Sequence, residues 1–146
     1  MEILKKIKQN YIKHLFIYKV YRIFKYKPLF SHSSFGEEIL VNRILKKKHG
    51  FYIDVGALNP KVGSLTFLLY KKGWRGINFD LTKSNIQLFR AFRKRDISVQ
   101  LAISNKKARV TSYIFDPGSG LNSLEKKYAD KWKKKLFKPY HTEKIE

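Results

Sequence analysis

The chain has 146 residues, 43% hydrophobic and 15% aromatic, enough apolar material for the core of one domain and too much for a disordered segment. It contains no cysteine, which excludes disulfides, thiolate zinc ribbons and a thiol nucleophile, and fits a reducing, cytoplasmic setting. A net charge of +21 suits a polyanion such as nucleic acid, anionic lipid or acidic polysaccharide, or else reflects a Lys-rich proteome.

Ile3, Leu4, Ile7, Tyr11, Ile12, Leu15, Phe16, Tyr18 and Ile23 recur at three- and four-residue spacing between Lys and Arg. The pattern predicts a basic amphipathic helix over residues 1–27 that ends at Pro28. Residues 1–29 then form a helix and linker ahead of a domain at 30–146. Charge interrupts the helix too often for a bilayer span, and it lacks the apolar region and cleavage site of a signal peptide. Its seat stays open: the inner face of a membrane as a peripheral contact, the domain itself, a second copy of it, or nucleic acid.

Phe30 to Ser34 reads as a polar connector. A helix from Glu37 to Lys48 follows, closed by Gly50 as C-cap. Phe51 to Val55 is a short apolar run of the kind expected of a buried parallel strand. Ser64 to Lys72 is the next helix, closed by Gly73, and Trp74 anchors helix to strand. Gly76 to Asp80 is the second strand. Thr82 or Ser84 caps a helix from Asn85 to Lys94, with Ile86, Leu88, Phe89 and Phe92 toward the core. Ile97 to Ile103 and Val110 to Phe115 are the third and fourth strands, and residues 116–120 are an exposed loop. A last basic helix, capped by Ser123, reaches about Lys135, and its Trp132 packs amphipathically. Strands alternating with helices predict an α/β domain with a mostly parallel sheet. Right-handed crossovers then gather the strand ends on the edge where such sheets bind ligands.

Asp54-Val55-Gly56-Ala57 brings a carboxylate and a glycine turn to that edge, and Asp80 lies at the end of the next strand, about 24 residues beyond Gly56. An acid there accepts hydrogen bonds from ribose hydroxyls. The plain alternative makes Asp54 a turn residue and Asp80 the start of a loop. The second close-approach glycine of a dinucleotide fingerprint is missing, and a Walker loop is absent. S-adenosylmethionine (SAM), which has no phosphates, does not need that glycine. The histidines are scattered without an i, i+4 pair and read as surface or turn residues, with no metal site.

The strings Ser34-Phe35-Gly36-Glu37-Glu38 and Gly50-Phe51-Tyr52-Ile53-Asp54-Val55-Gly56-Ala57 resemble the opening of FkbM-family methyltransferases. Ser64-Leu65-Thr66, Lys72-Gly73-Trp74-Arg75-Gly76-Ile77 and Ala102-Ile103-Ser104 continue in register. Tyr113-Ile114-Phe115-Asp116 and Leu121-Asn122-Ser123 are similar to the next family segment. The resemblance covers roughly Ser34 to Ser123. It implies a Rossmann-like class I SAM methyltransferase fold and O-methylation of a sugar, glycan or other hydroxyl-bearing metabolite. It further implies that Asp54 and Gly56 line the methionine end of SAM, that Asp80 binds the ribose and that Ala57 also belongs to the cofactor site. Ala102 to Asn105, with Ser104 and Asn105, would border the adenine, and Glu37 would approach from the N-terminal cap. A first-turn acid favoured by the helix dipole is the plainer account of Glu37.

The chain departs from the family in three places. Ser64-Leu65-Thr66 replaces Ser-Asn-Thr, Leu81-Thr82-Lys83 replaces a Pro-containing loop, and no later Asp-x-Glu-Gly-type motif follows before Glu146. The expectation is a partial domain of four strands with bare apolar faces and an exposed sheet edge open to self-association. Alone it would bind SAM weakly or not at all and transfer no methyl group; its catalytic residues are unassigned. The alternative is a non-catalytic basic α/β module that holds RNA or another polyanion. Neither an RNA-recognition aromatic motif nor a Gly-x-x-Gly clamp supports nucleic acid.

Overall fold

A computed structural model describes residues 17, 19–21, 23–24, 31–116 and 118–145. Most of the amphipathic segment from Ile3 to Tyr18, with Pro28 and Phe30, lies outside the described residues. The elements in chain order are α1 (Glu37–Ile44), β1 (Phe51–Val55), α2 (Phe67–Lys71), β2 (Arg75–Asp80), α3 (Lys83–Phe92), β3 (Ile97–Gln100), β4 (Val110–Ile114), α4 (Lys126–Leu136) and β5 (His141–Ile145).

β1, β2 and β3 form a parallel sheet in that spatial order, with Ile53 opposite Ile77 and Ile77 opposite Ile97. The arrangement is α/β and compatible with a Rossmann-like fold. Both crossovers, through α2 and α3, step the same way across the sheet. Right-handed connections then put both helices on one face. Tyr52, Leu69 and Trp74 pack there, with Val41, Leu45 and Tyr70 against them. Ile86, Leu88 and Phe89 are buried on α3 as their spacing predicts, and Phe92 is half-buried. Trp74 is the expected helix-to-strand anchor: its ring is buried and its Nε1 donates to Lys47 O at 3.2 Å.

Helix ends differ from the periodicity. α1 stops at Ile44, four residues before Lys48: a continued helix would set Lys46 and Lys47 three and four residues from Arg43, like charge on like charge, and the Lys47 carbonyl serves Trp74 instead. Gly50 is therefore no C-cap; a side chain there would collide with the Trp74 ring. α2 begins only at Phe67, since the Ser64 and Thr66 hydroxyls are engaged by Arg93 in the loop before it. Thr82 is the residue before α3, but its hydroxyl donates to Asp80 and does not cap the helix. Ser123 Oγ accepts from Glu125 N, and α4 begins at Lys126. β3 ends at Gln100, and Leu101 to Arg109 leaves the sheet.

The larger correction concerns β4. It does not extend the parallel sheet but pairs antiparallel with β5, Val110 opposite Ile145 and Ile114 opposite His141. β5 has no apolar alternation and went unpredicted. It forms because β4 offers a free ladder edge, and the pair is tied by Ser112 Oγ to Glu143 O (3.1 Å) and Lys144 Nζ to Thr111 Oγ1 (2.8 Å). Tyr113 and Phe115 meet Tyr140 edge-on at its base. In the loop after β4, Asp116, Gly118 and Ser119 are half-buried where an exposed loop was expected, while Gly120 is exposed: Asp116 pairs with Lys138, and Asn122 bridges Phe115 N and Asp116 O.

Candidate functional site

The C-terminal ends of the three parallel strands converge on Phe79 and Asp80. Gly56 N and Ala57 N both donate to Phe79 O, at 2.9 and 3.0 Å, which folds the loop after β1 over the end of β2. Leu101 N donates to Asp80 O at 3.2 Å and ties in the end of β3. Gly56 turns at φ 72°, a left-handed conformation that glycine adopts without strain, and the space where a side chain would stand is open. Ala57 is buried against the sheet. Asp54, Gly56, Ala57 and Asp80, singled out in the sequence, are thus brought to one edge.

Asp80 is buried, and its two carboxylate oxygens are used unequally. Oδ1 accepts from Thr82 N (2.8 Å), Thr82 Oγ1 (2.8 Å) and Asn85 Nδ2 (2.9 Å). Oδ2 accepts only from Leu58 N, at 2.9 Å, among the described residues. That bond holds Leu58 at φ 56°, a left-handed conformation costly for a branched side chain. Oδ2 keeps lone-pair capacity for one more donor, such as a hydroxyl or ammonium group.

Asp54 faces the helix-covered side. Thr66 Oγ1 donates to its Oδ2 at 2.6 Å. Burial raises the Asp54 pKa above the usual carboxylate value, and the Thr66 hydroxyl and the charge of Arg93 offset this only in part. Arg93 is fully buried and joins the whole loop together. Its Nε and Nη2 donate to Pro60 O (2.8 and 2.6 Å), Nη2 to Ser64 Oγ (2.6 Å) and Nη1 to Thr66 Oγ1 (2.6 Å). Asp96 balances its charge at 3.8 Å and also accepts from Tyr52 Oη (2.5 Å), Gly76 N (3.0 Å) and Asn78 Nδ2 (3.1 Å). Nothing in the sequence marked Arg93, which stands in a run of basic residues that reads as surface. Its planar fork of donors is what lets one side chain satisfy acceptors on several segments.

The described part of the N-terminal helix packs on this edge. Ile23 is buried, Phe24 meets Phe92 edge-on, and Lys61 Nζ donates to Ile23 O at 2.8 Å. Lys19 Nζ donates to Asn85 Oδ1 at 3.1 Å and lies against Gly118. Lys19, Asn85 and Asp80 therefore form one chain of hydrogen bonds. Burial pushes the Lys19 pKa down to about 8, against the pull of Asp80 and Asp116. The helix periodicity gave no reason to separate Lys19 from its neighbouring lysines.

Ser104 and Asn105 are exposed on the loop after β3, where Leu101 to Arg109 curls around a cavity of about 470 Å³. Glu37 is exposed and its carboxylate accepts from Phe35 N at 3.0 Å, a local bond at the start of α1. No hydrogen bond among the described residues joins it to Asp80. Its neighbour Glu38 is the buried acid. Burial opposes its ionisation, but donors from Ser33, His32 N and Ser31 outweigh that and hold its pKa below the usual value. This connector reaches the loop after β1, since Gly63 N donates to His32 O at 2.7 Å and the His32 ring lies on Phe67.

Among the described residues no group of three or more His, Asp or Glu side chains could hold a metal ion, and no helix is long and apolar enough to cross a membrane. No family model, curated protein or solved structure matches the chain.

Proposed function

We propose that this chain is a Rossmann-like SAM-binding domain of FkbM type, serving O-methylation of a sugar or another hydroxyl-bearing metabolite. The observation that carries the reading is the convergence of the Asp54-Val55-Gly56-Ala57 turn and the Asp80 carboxylate at one edge of a parallel sheet. The residues present fit the cofactor. The open space at Gly56 allows close approach to the backbone, and Asp80 Oδ2 has lone-pair capacity left for a ribose hydroxyl. Asp54 stands on the methionine side, Ser104 and Asn105 border the adenine, and Glu37 approaches from the cap. SAM, when bound, supplies an electrophilic methyl group on a sulfonium centre. The chain's residues bind and orient it, and Arg93 keeps the loop in place.

The test is a titration of the isotope-labelled full chain with SAM, followed by amide chemical shifts. The chain by itself binds weakly in this reading, so shifts at millimolar SAM confined to residues 56–58, 80–82 and 101–105, abolished by Asp80→Ala with the fold retained, are expected. Shifts that fall elsewhere, or that are indifferent to Asp80→Ala, would sink the reading.

A basic α/β module that holds RNA or another polyanion is the second reading, favoured by the exposed lysines of α4 and the net charge of +21. Binding of RNA that falls steeply with salt while SAM has no effect would select it.

A further inference from the structure

Because α2 and α3 lie on the same side of the sheet, the opposite face is left open. Phe51, Ile53 and Val55 of β1 stand on it beside Ile77 and Phe79 of β2 and Ile97 of β3, as the strand register requires. Phe51 is 59% exposed, Ile53 64%, Val55 59% and Ile97 60%. A contiguous apolar face of this kind marks an interaction site.

The strands are parallel, so the segments leading into them share one edge, opposite the edge of Asp54 and Asp80. Lys46 to Lys48 lead into β1, Lys72 into β2 and Lys94 into β3, and all are exposed. Arg75, the first residue of β2, is exposed on the open face itself, opposite Phe51. The acid in these segments, Asp96, has its side chain buried against Arg93. The apolar face therefore carries a cationic rim at one end.

Three occupants compete for such a surface. A lipid bilayer would have to take in the outer edges of β1 and β3, whose backbone groups lack a ladder partner among the described residues. Each such group costs several kcal/mol in hydrocarbon. A second copy would bring together two chains of +21, with no acid among the residues of either open face to meet the cations of the other. A helix leaves the strand edges in water, and helices are what cover the faces of parallel sheets. Three strands about 4.8 Å apart and some 16 Å long match the footprint of one or two helices, each about 10 Å across.

We propose that the open face of β1 to β3 seats an acidic amphipathic helix from a partner protein. Its apolar stripe covers Ile53, Val55 and Phe79, and its carboxylates meet Lys46 to Lys48, Lys72, Arg75 and Lys94. This surface adjoins the candidate cofactor edge at Val55 and Phe79 but takes in the side chains of neither Asp54 nor Asp80, which stand on the other face.

The experiment uses the full chain and synthetic helical peptides of about 18 residues with the same leucine stripe, flanked by Glu in one and by Lys in the other. A scrambled Glu peptide is the control. Binding is read by fluorescence anisotropy, and amide shifts locate it. The Glu peptide is expected to bind at least tenfold tighter than either of the others and to shift Ile53, Ile77 and Ile97. Ile53→Gln with Ile97→Gln should weaken it tenfold while leaving the melting temperature unchanged. Arg75→Glu with Lys94→Glu should move the preference to the Lys peptide. Equal binding of the Glu and scrambled peptides, or binding indifferent to Ile53→Gln, would overturn the proposal. So would co-sedimentation with phosphatidylserine vesicles, or a dimer in ultracentrifugation, that Ile53→Gln abolishes.

Discussion

The two faces of the β1–β3 sheet differ in the opposite sense from a simple inside-outside rule. The face under α2 and α3 carries Tyr52, Asp54, Asn78, Asp80 and Ser98, with Arg93 buried above them. The face toward solvent carries Phe51, Ile53, Val55 and Ile97. Tyr52, Asp54, Asp80 and the Asn78 amide nitrogen are inside because hydrogen bonds offset their desolvation, although Ser98 Oγ and Asn78 Oδ1 have no partner among the described residues; the apolar side chains are outside because no crossover brings a helix to their side. The direction of two loop connections outranks hydrophobicity in deciding which face is covered.

The covered face should break first at Arg93. Arg93→Met leaves Asp96 buried without its counter-charge and frees the acceptors of Pro60, Ser64 and Thr66. A loss of about 3–5 kcal/mol is expected in urea denaturation; an unchanged midpoint would deny the network any structural weight. Next comes a matched pair. Leu88→Ala on the covered face should cost about 2–5 kcal/mol, and Ile53→Ala on the open face less than about 0.5 kcal/mol. Similar losses at the two sites would mean that the open face is covered in solution.

Titration sharpens the same contrast at smaller cost. The folded-state pKa of Lys19 is lowered to about 8 from an ordinary 10.5, so the unfolded chain binds more protons between those values. Stability should rise across that interval and stay flat in Lys19→Met. Asp54 has the other sign. Its pKa is raised by burial, so the stability linked to it is present below the ordinary value of 3.8 and lost as pH rises through the folded value. Asp54→Asn should remove that slope and be at least as stable as the parent chain at neutral pH, as measured by thermal melts. The smallest effect is local. Leu58→Gly relieves the left-handed backbone at φ 56° and should be neutral or gain up to about 1 kcal/mol in the same melts.

Much of the candidate site could be read in advance because it depends on short-range rules. A strand ending in Asp-x-Gly and a second strand ending in an acid must share an edge once the strands are parallel, and Asp54, Gly56, Ala57 and Asp80 do so. Arg93 and Lys19 could not be read this way. Each belongs to a run of basic residues, and only the packing of distant segments distinguishes the buried member from its solvated neighbours. Glu37 and Glu38 show the same limit: adjacent acids in the first turn of α1, one exposed and one enclosed by Ser31, His32 and Ser33.

The sequence by itself determined the order of strand and helix from β1 to β3, the core stripe of α3 and the Trp74 anchor, since apolar spacing and glycine placement act within a few residues. Tertiary structure decided the rest. It made β5 a strand, because a polar segment becomes one only when a free edge such as β4 lies beside it. It chose the covered face of the sheet through the handedness of two crossovers, and so left the apolar side of β1 open.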